Sequence, residues 1–158
     1  MKTNITIQNK WDMRFLQLCG VVGSWSEDQS RQVGAVIVGA AHEVRAIGFN
    51  GLPRGVNGSV KERHNRDAGE KYYWFEHAER NAIFNAARSG VSTENCRIYS
   101  SLFPCADCAR AIIQSGIIQL NSYSAPEQDA TYIRSFSVSM EMFEEARVEV
   151  RLFKQPRP

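Results

Sequence analysis

Two short motifs, His77-Ala78-Glu79 and Pro104-Cys105-Ala106-Asp107-Cys108, restrict this sequence more than any other feature, because they put metal-ligating side chains at the starts of two separate helices. Cys105 and Cys108 are three residues apart. In a first helical turn both sulfurs then lie on one side, where the helix N-terminus favours their thiolate forms. His77 and Glu79 would point about 200° apart in mid-helix, but at a helix end both can reach over the rim. A fold that joins the two ends makes a metal site of one imidazole and two thiolates. That set leaves the fourth tetrahedral position to water, as in hydrolytic zinc enzymes. Glu79 shares its side with Ile83 and Ala86, so its carboxylate is expected to face the packed interior. Proton transfer gives a buried acid there a reason to exist.

Each motif alone says less. A Cys-x-x-Cys pair also reads as a redox couple or as half of a structural zinc site. A closed structural site would draw its fourth ligand from Cys96, His42 or His64, but such sites rarely set a carboxylate beside the ligands. Cys19 and Cys96 lie in apolar surroundings and read as small buried hydrophobes.

The rest of the composition narrows the class. A chain of 158 residues suits one domain, 1–158, with a loose tail from about 154, and can bury a core without disulfides. Hydrophobic residues at 43% and charged ones at 23% are the mixture of a soluble globular protein. Nineteen Lys and Arg against seventeen Asp and Glu give +2, far from the strongly basic balance of a nucleic-acid binder, and leave small anions as partners. The sequence has no signal-type apolar run and no stretch of about eighteen apolar residues, so the expectation is a cytoplasmic protein without a membrane segment. Its four cysteines are then expected to be reduced.

Along the chain, Trp11, Phe15, Leu18 and Val22 make one stripe of a helix over 11–25. The β-branched run 33–38 and the run 44–49 read as a hairpin, and 50–75 as a long glycine-punctuated loop of functional character. A helix follows from Glu76 to a cap at Gly90, then a strand over 96–103, and a helix with Pro104 in its first turn that ends at Gly116. A strand over 118–123, a helix over 138–146 and an edge strand over 148–153 complete the order. That order predicts an α/β fold, a mixed five-stranded sheet with helices on both faces.

His-x-Glu followed by Pro-Cys-x-x-Cys is also the signature of the zinc nucleobase deaminases. The sequence resembles the deoxycytidylate deaminases of the cytidine deaminase-like superfamily from about Phe15 to Ile118. The matching pieces are residues 32–38, Gly48-Phe49-Asn50-Gly51-Leu52-Pro53-Arg54-Gly55, the His77 motif with Asn81-Ala82-Ile83, and 102–109 with 112–117. The resemblance implies a three-layer α/β/α fold and hydrolysis of dCMP to dUMP and ammonia. One Zn2+ would be held by His77, Cys105 and Cys108, and protons carried by Glu79. It further implies substrate contacts from Asn50 to the deoxyribose, from Ala78, Ser101 and Leu102 around the base, and from Ser30 and Arg31 to the phosphate. Gly48, Asn50, Gly51 and Arg54 would serve dCTP or dTTP effectors, with Mg2+ accompanying a triphosphate, in a homo-oligomer, a hexamer or a dimer. The chain departs from the pattern at Phe49, where the family carries tyrosine, at Asp28-Gln29 in place of Asp-Pro, and over 124–130. Competing readings are a dCTP or dual-specificity deaminase, a tRNA adenosine deaminase, and a silent nucleotide-binding regulatory module.

Overall fold

The computed structural model describes residues 9–124 and 132–155. Helix α1, Lys10–Gly23, begins at a capping box in which Asn9 Oδ1 accepts from the Trp11 and Asp12 amides while Asp12 Oδ2 accepts from the Asn9 amide. Strands β1 (Gly34–Val38) and β2 (Val44–Phe49) form the expected antiparallel hairpin. The segment after it is not a structureless loop. It contains a 3-10 turn at Lys61–His64 and a short helix α2, Lys71–Trp74.

Helix α3, Ala78–Arg88, takes His77 as its N-cap, and Gly90 just beyond its end has φ +66°, the left-handed conformation anticipated for a terminating glycine. Strand β3 is shorter than the sequence suggests, Arg97–Ser100, and helix α4 is Ala106–Gln114 with Cys105 as N-cap. Pro104 thus precedes the cap and lies outside the first turn. Strand β4 is Gln119–Tyr123 and β5 is Glu149–Phe153. Helix α5 spans Ile133–Glu145 and so starts well before the expected Val138. The Ser135 hydroxyl accepts the Ala106 amide at 2.8 Å and Phe136 packs edge-on against Phe103, so tertiary contacts extend the helix where local pattern is weak. Most of the stretch 124–130 and the last residues of the tail lie outside the described residues.

The sheet order is β2-β1-β3-β4-β5. The two pairs involving β1 are antiparallel and the other two parallel. It is the predicted mixed five-stranded sheet, with β5 on an edge. Strand β1 is buried along its whole length and divides its side chains by the pleat. Ala35 and Ile37 join the core beneath α3, α4 and α5, whereas Val36 and Val38 meet Phe15, Leu16 and Cys19 of α1 on the other face. Two glycines set the layer spacing. A Cβ at Gly34 would run into the Cys19 carbonyl of α1, and one at Gly48 into the backbone of α3 at Ala78 and Ala82. Cys19 and Cys96 are buried among apolar neighbours, as expected. Among the described residues no helix is long and apolar enough to cross a membrane.

Candidate active site

Helices α3 and α4 begin side by side at the carboxyl end of β3, the edge of an α/β sheet where ligands bind. His77 and Cys105 are the two N-caps, and both have extended backbone. Because His77 stands outside the helix, the mid-helix angle between it and Glu79 does not apply, and its ring turns back over the helix start. Its Nδ1 lies 3.4 Å from Cys105 Sγ and 3.4 Å from Cys108 Sγ, and the three ligand atoms all lie within 4.8 Å of one another. A tetrahedral ion with Zn–S of about 2.3 Å and Zn–N of about 2.0 Å would separate N from S by about 3.5 Å. The donors fit zinc in kind and in spacing.

Electrostatics point the same way. The hydrogen bond from Cys108, aided by His77, pulls the Cys105 thiol down to about 4 against the effect of burial. Beside that thiolate, and buried, Cys108 is pushed well above the ordinary thiol range. The contact with Cys105 raises His77. Two adjacent thiolates repel unless a cation lies between them, which is what a dication would supply. The candidates for a fourth protein ligand are engaged elsewhere. His42 stacks on Trp11, His64 contacts the Gly58 carbonyl at 2.9 Å, and Cys96 faces the Ser92 carbonyl.

Glu79, in the first turn of α3, is 3% exposed. Burial holds its carboxyl above the usual carboxylate range. Its Oε1 accepts from the Ser100 hydroxyl at 2.9 Å, and Oε2 lies 3.4 Å from Cys108 Sγ. Glu79, His77 and Cys105 line one pocket, with Cys108 buried behind them. Phe75, Leu102, Phe103, Tyr132 and Phe136 make its apolar walls, while Arg31, Asn50 and Lys71 supply polar groups.

Of the residues expected at the substrate, Asn50, Ala78, Leu102 and Arg31 line this pocket and Ser30 and Ser101 do not. Ser101 points to the opposite face, where its hydroxyl accepts the Gly34 amide at 3.0 Å. Just past the end of β3 the chain still bonds to β1, the Ser101 amide donating to the Gly34 carbonyl at 3.0 Å, so the alternation that turns Ser100 toward the site turns Ser101 away from it. Asn50 is committed to bracing the loop before β1, accepting the Val33 amide at 2.8 Å and donating to Asp28 and to the Arg31 carbonyl. Ser30 is held between Asp28 and Lys71. Of the residues expected at an effector, Gly48 lies under α3, Gly51 bridges to Glu76, and Arg54 donates to Asn85. Apart from Asn50, none of these four lines the pocket.

Sequence reasoning passed over Lys71, Phe75, Tyr132 and Ser100. Lys71 forms an ion pair with buried Asp28, donates to Ser30 at 2.7 Å and lines the pocket. The pleat was the one signal available for Ser100; nothing local marked Lys71.

The model for the cytidine and deoxycytidylate deaminase zinc-binding region matches residues 9 to 123. The chain belongs to this family. It is 42% identical over 146 residues to an uncharacterized deaminase of the luxG 3′ region in Aliivibrio fischeri, covering 90% of this chain and 92% of that one. It is 35% identical over 111 residues to human deoxycytidylate deaminase, covering 68% of this chain and spanning only 61% of the human protein. In structure it is similar to the dCMP deaminase of cyanophage S-TIM5 in complex with dCMP and dUMP. That match has a TM-score of 0.75 at 20% identity and covers 94% of this chain and all of the other. This family member therefore has the cytidine deaminase-like fold as well as its zinc-binding motifs.

Proposed function

We propose that this chain hydrolyses dCMP to dUMP and ammonia, supplying dUMP for thymidylate synthesis. One observation carries the reading: a three-donor site with no fourth protein ligand among the described residues, beside buried Glu79 at the base of an aromatic-walled pocket. Zinc held by His77, Cys105 and Cys108 would supply Lewis acidity toward the attacking water.

Glu79 accepts the proton that water loses as its oxygen bonds to C4 of cytosine, and delivers it to N3. Glu79 then moves the remaining proton of that water from the new C4 hydroxyl to the amine, C4–N breaks, and ammonia leaves as the C4 carbonyl forms. Phe75, Leu102 and Phe103 hold the base and keep bulk water from the proton path. Lys71 and Arg31 face the 5′-phosphate, with Asp28 and Ser30 fixing the lysine. Asn50 serves the sugar by holding the residues before β1 in place. Assembly into a dimer or hexamer, response to dCTP, dTTP and Mg2+, and a single domain over 1–158 belong to the same reading by resemblance.

Zinc-loaded protein should release ammonia from dCMP much faster than from dCTP or cytidine when the three are assayed side by side. Preferential turnover of dCTP would establish the dCTP or dual reading. Turnover of adenosine in tRNA with dCMP spared would replace the substrate class. No turnover of any of them would leave a regulatory module.

A further inference from the structure

Ser100 ends β3, the central strand of the sheet, and is wholly buried, paired antiparallel with Ala35 of β1 and parallel with Ser122 of β4. A buried hydroxyl needs a partner. This one donates to Glu79 Oε1 at 2.9 Å, joining the sheet to the first turn of α3. The other carboxylate oxygen, Oε2, stands on the ligand side, 3.4 Å from Cys108 Sγ, and a thiol is a far weaker donor than a hydroxyl. The two oxygens of Glu79 therefore have unequal surroundings.

We infer that Ser100 is a positioning residue for the deamination: its hydroxyl pins Oε1 of Glu79 so that Oε2, on the metal side, carries the proton from water to the base. A glutamate has three side-chain torsions, and in a buried site a proton carrier must present one oxygen at two successive positions without rotating away. The hydroxyl fixes the carboxylate plane from a rigid strand. Asp12, Ser26, Asp28 and Asn121, also buried, find their partners away from Glu79: Asp12 in Tyr99 and Arg151, Ser26 in the Asn50 carbonyl, Asp28 in Ser30 and Asn50, and Asn121 in Gln119 and Arg151. Ser101, the next residue after the strand, faces the other side and cannot substitute.

This inference rests on the proposed dCMP reaction. The test compares zinc-loaded wild type with Ser100→Ala and Ser100→Thr, measuring kcat and KM for dCMP, zinc per chain and Tm. Ser100→Ala should lower kcat by about 10- to 100-fold, the scale of a misplaced catalytic group, with KM, zinc content and Tm close to wild type. Ser100→Thr keeps a hydroxyl on the same carbon and should recover most of the lost kcat. A kcat for Ser100→Ala equal to wild type overturns the inference. So does a threonine variant as slow as alanine, or a parallel fall in zinc content and Tm, which marks a structural role. Wild type that releases no ammonia from dCMP removes the substrate reading, and this inference with it, a result separable from an active wild type with an unaffected alanine variant.

Discussion

Nδ1 of His77 lies equally close, at 3.4 Å, to the sulfurs of Cys105 and Cys108, although the two cysteines come from a different helix. Removing one donor leaves two, too few for the tetrahedral set. Cys105→Ala should purify with little or no zinc by metal analysis and without activity. Glu79→Gln should keep one zinc per chain and lose about 100- to 10,000-fold in kcat, the range for a lost general acid–base. Near-normal turnover by Glu79→Gln would remove the proton-carrier role.

Lys71 is expected to read the phosphate. Lys71→Met keeps the apolar stem and removes the charge. It should raise KM for dCMP by about 10- to 100-fold, the equivalent of one charged hydrogen bond, while the weak reaction with cytidine stays as it was. Equal losses on both substrates would assign Lys71 to bracing Asp28 instead.

The network around Asp12 makes stability depend on pH. Burial alone would raise this carboxyl, but hydrogen bonds from Arg151, the Asn9 amide and Tyr99 outweigh it and lower its pKa. A depressed folded-state value means that the unfolded chain binds the proton first as pH falls. The contribution is full above the ordinary aspartate value of about 3.9 and is lost as pH drops through the lower folded value. Asp12→Asn should destabilise by about 2 kcal/mol at neutral pH and flatten the acid limb of a Tm-versus-pH curve.

Gly48→Ala tests the layer spacing. The added Cβ meets the α3 backbone at Ala78 and Ala82, between them the start of the helix that carries Glu79. Tm and zinc affinity should fall together, measured by calorimetry and competition with a chelator. A loss of Tm with unchanged zinc affinity would show that α3 shifts without disturbing His77.

The sequence made the sheet and the metal donors legible because each rests on local chemistry. The hairpin follows from two β-branched runs, and the donor set from residue types that have few other uses. What it concealed depends on contacts distant along the chain. The early turns of α5 form because Ser135 caps Ala106 and Phe136 finds Phe103. Lys71 reaches the pocket because Asp28 holds it there. The resemblance puts Ser101 at the base, whereas its hydroxyl accepts the Gly34 amide on the other side of the sheet and it is Ser100 that holds Glu79, a difference set by pairing with β1 far along the chain.

His77 and Cys105 hold the positions where a helix prefers Ser, Asp or Asn, and neither side chain caps its own helix. Apart from the Ala106 amide, which Ser135 accepts, the first turns of the two helices that build the site thus hold amides a better cap would satisfy, a deficit of about 1 kcal/mol for each cap. Activity and fold stability are in conflict at these two residues. Cys105→Ser, inactive and unable to hold zinc tightly, should melt at or above the chelated wild type, whereas the zinc-loaded wild type should melt above both.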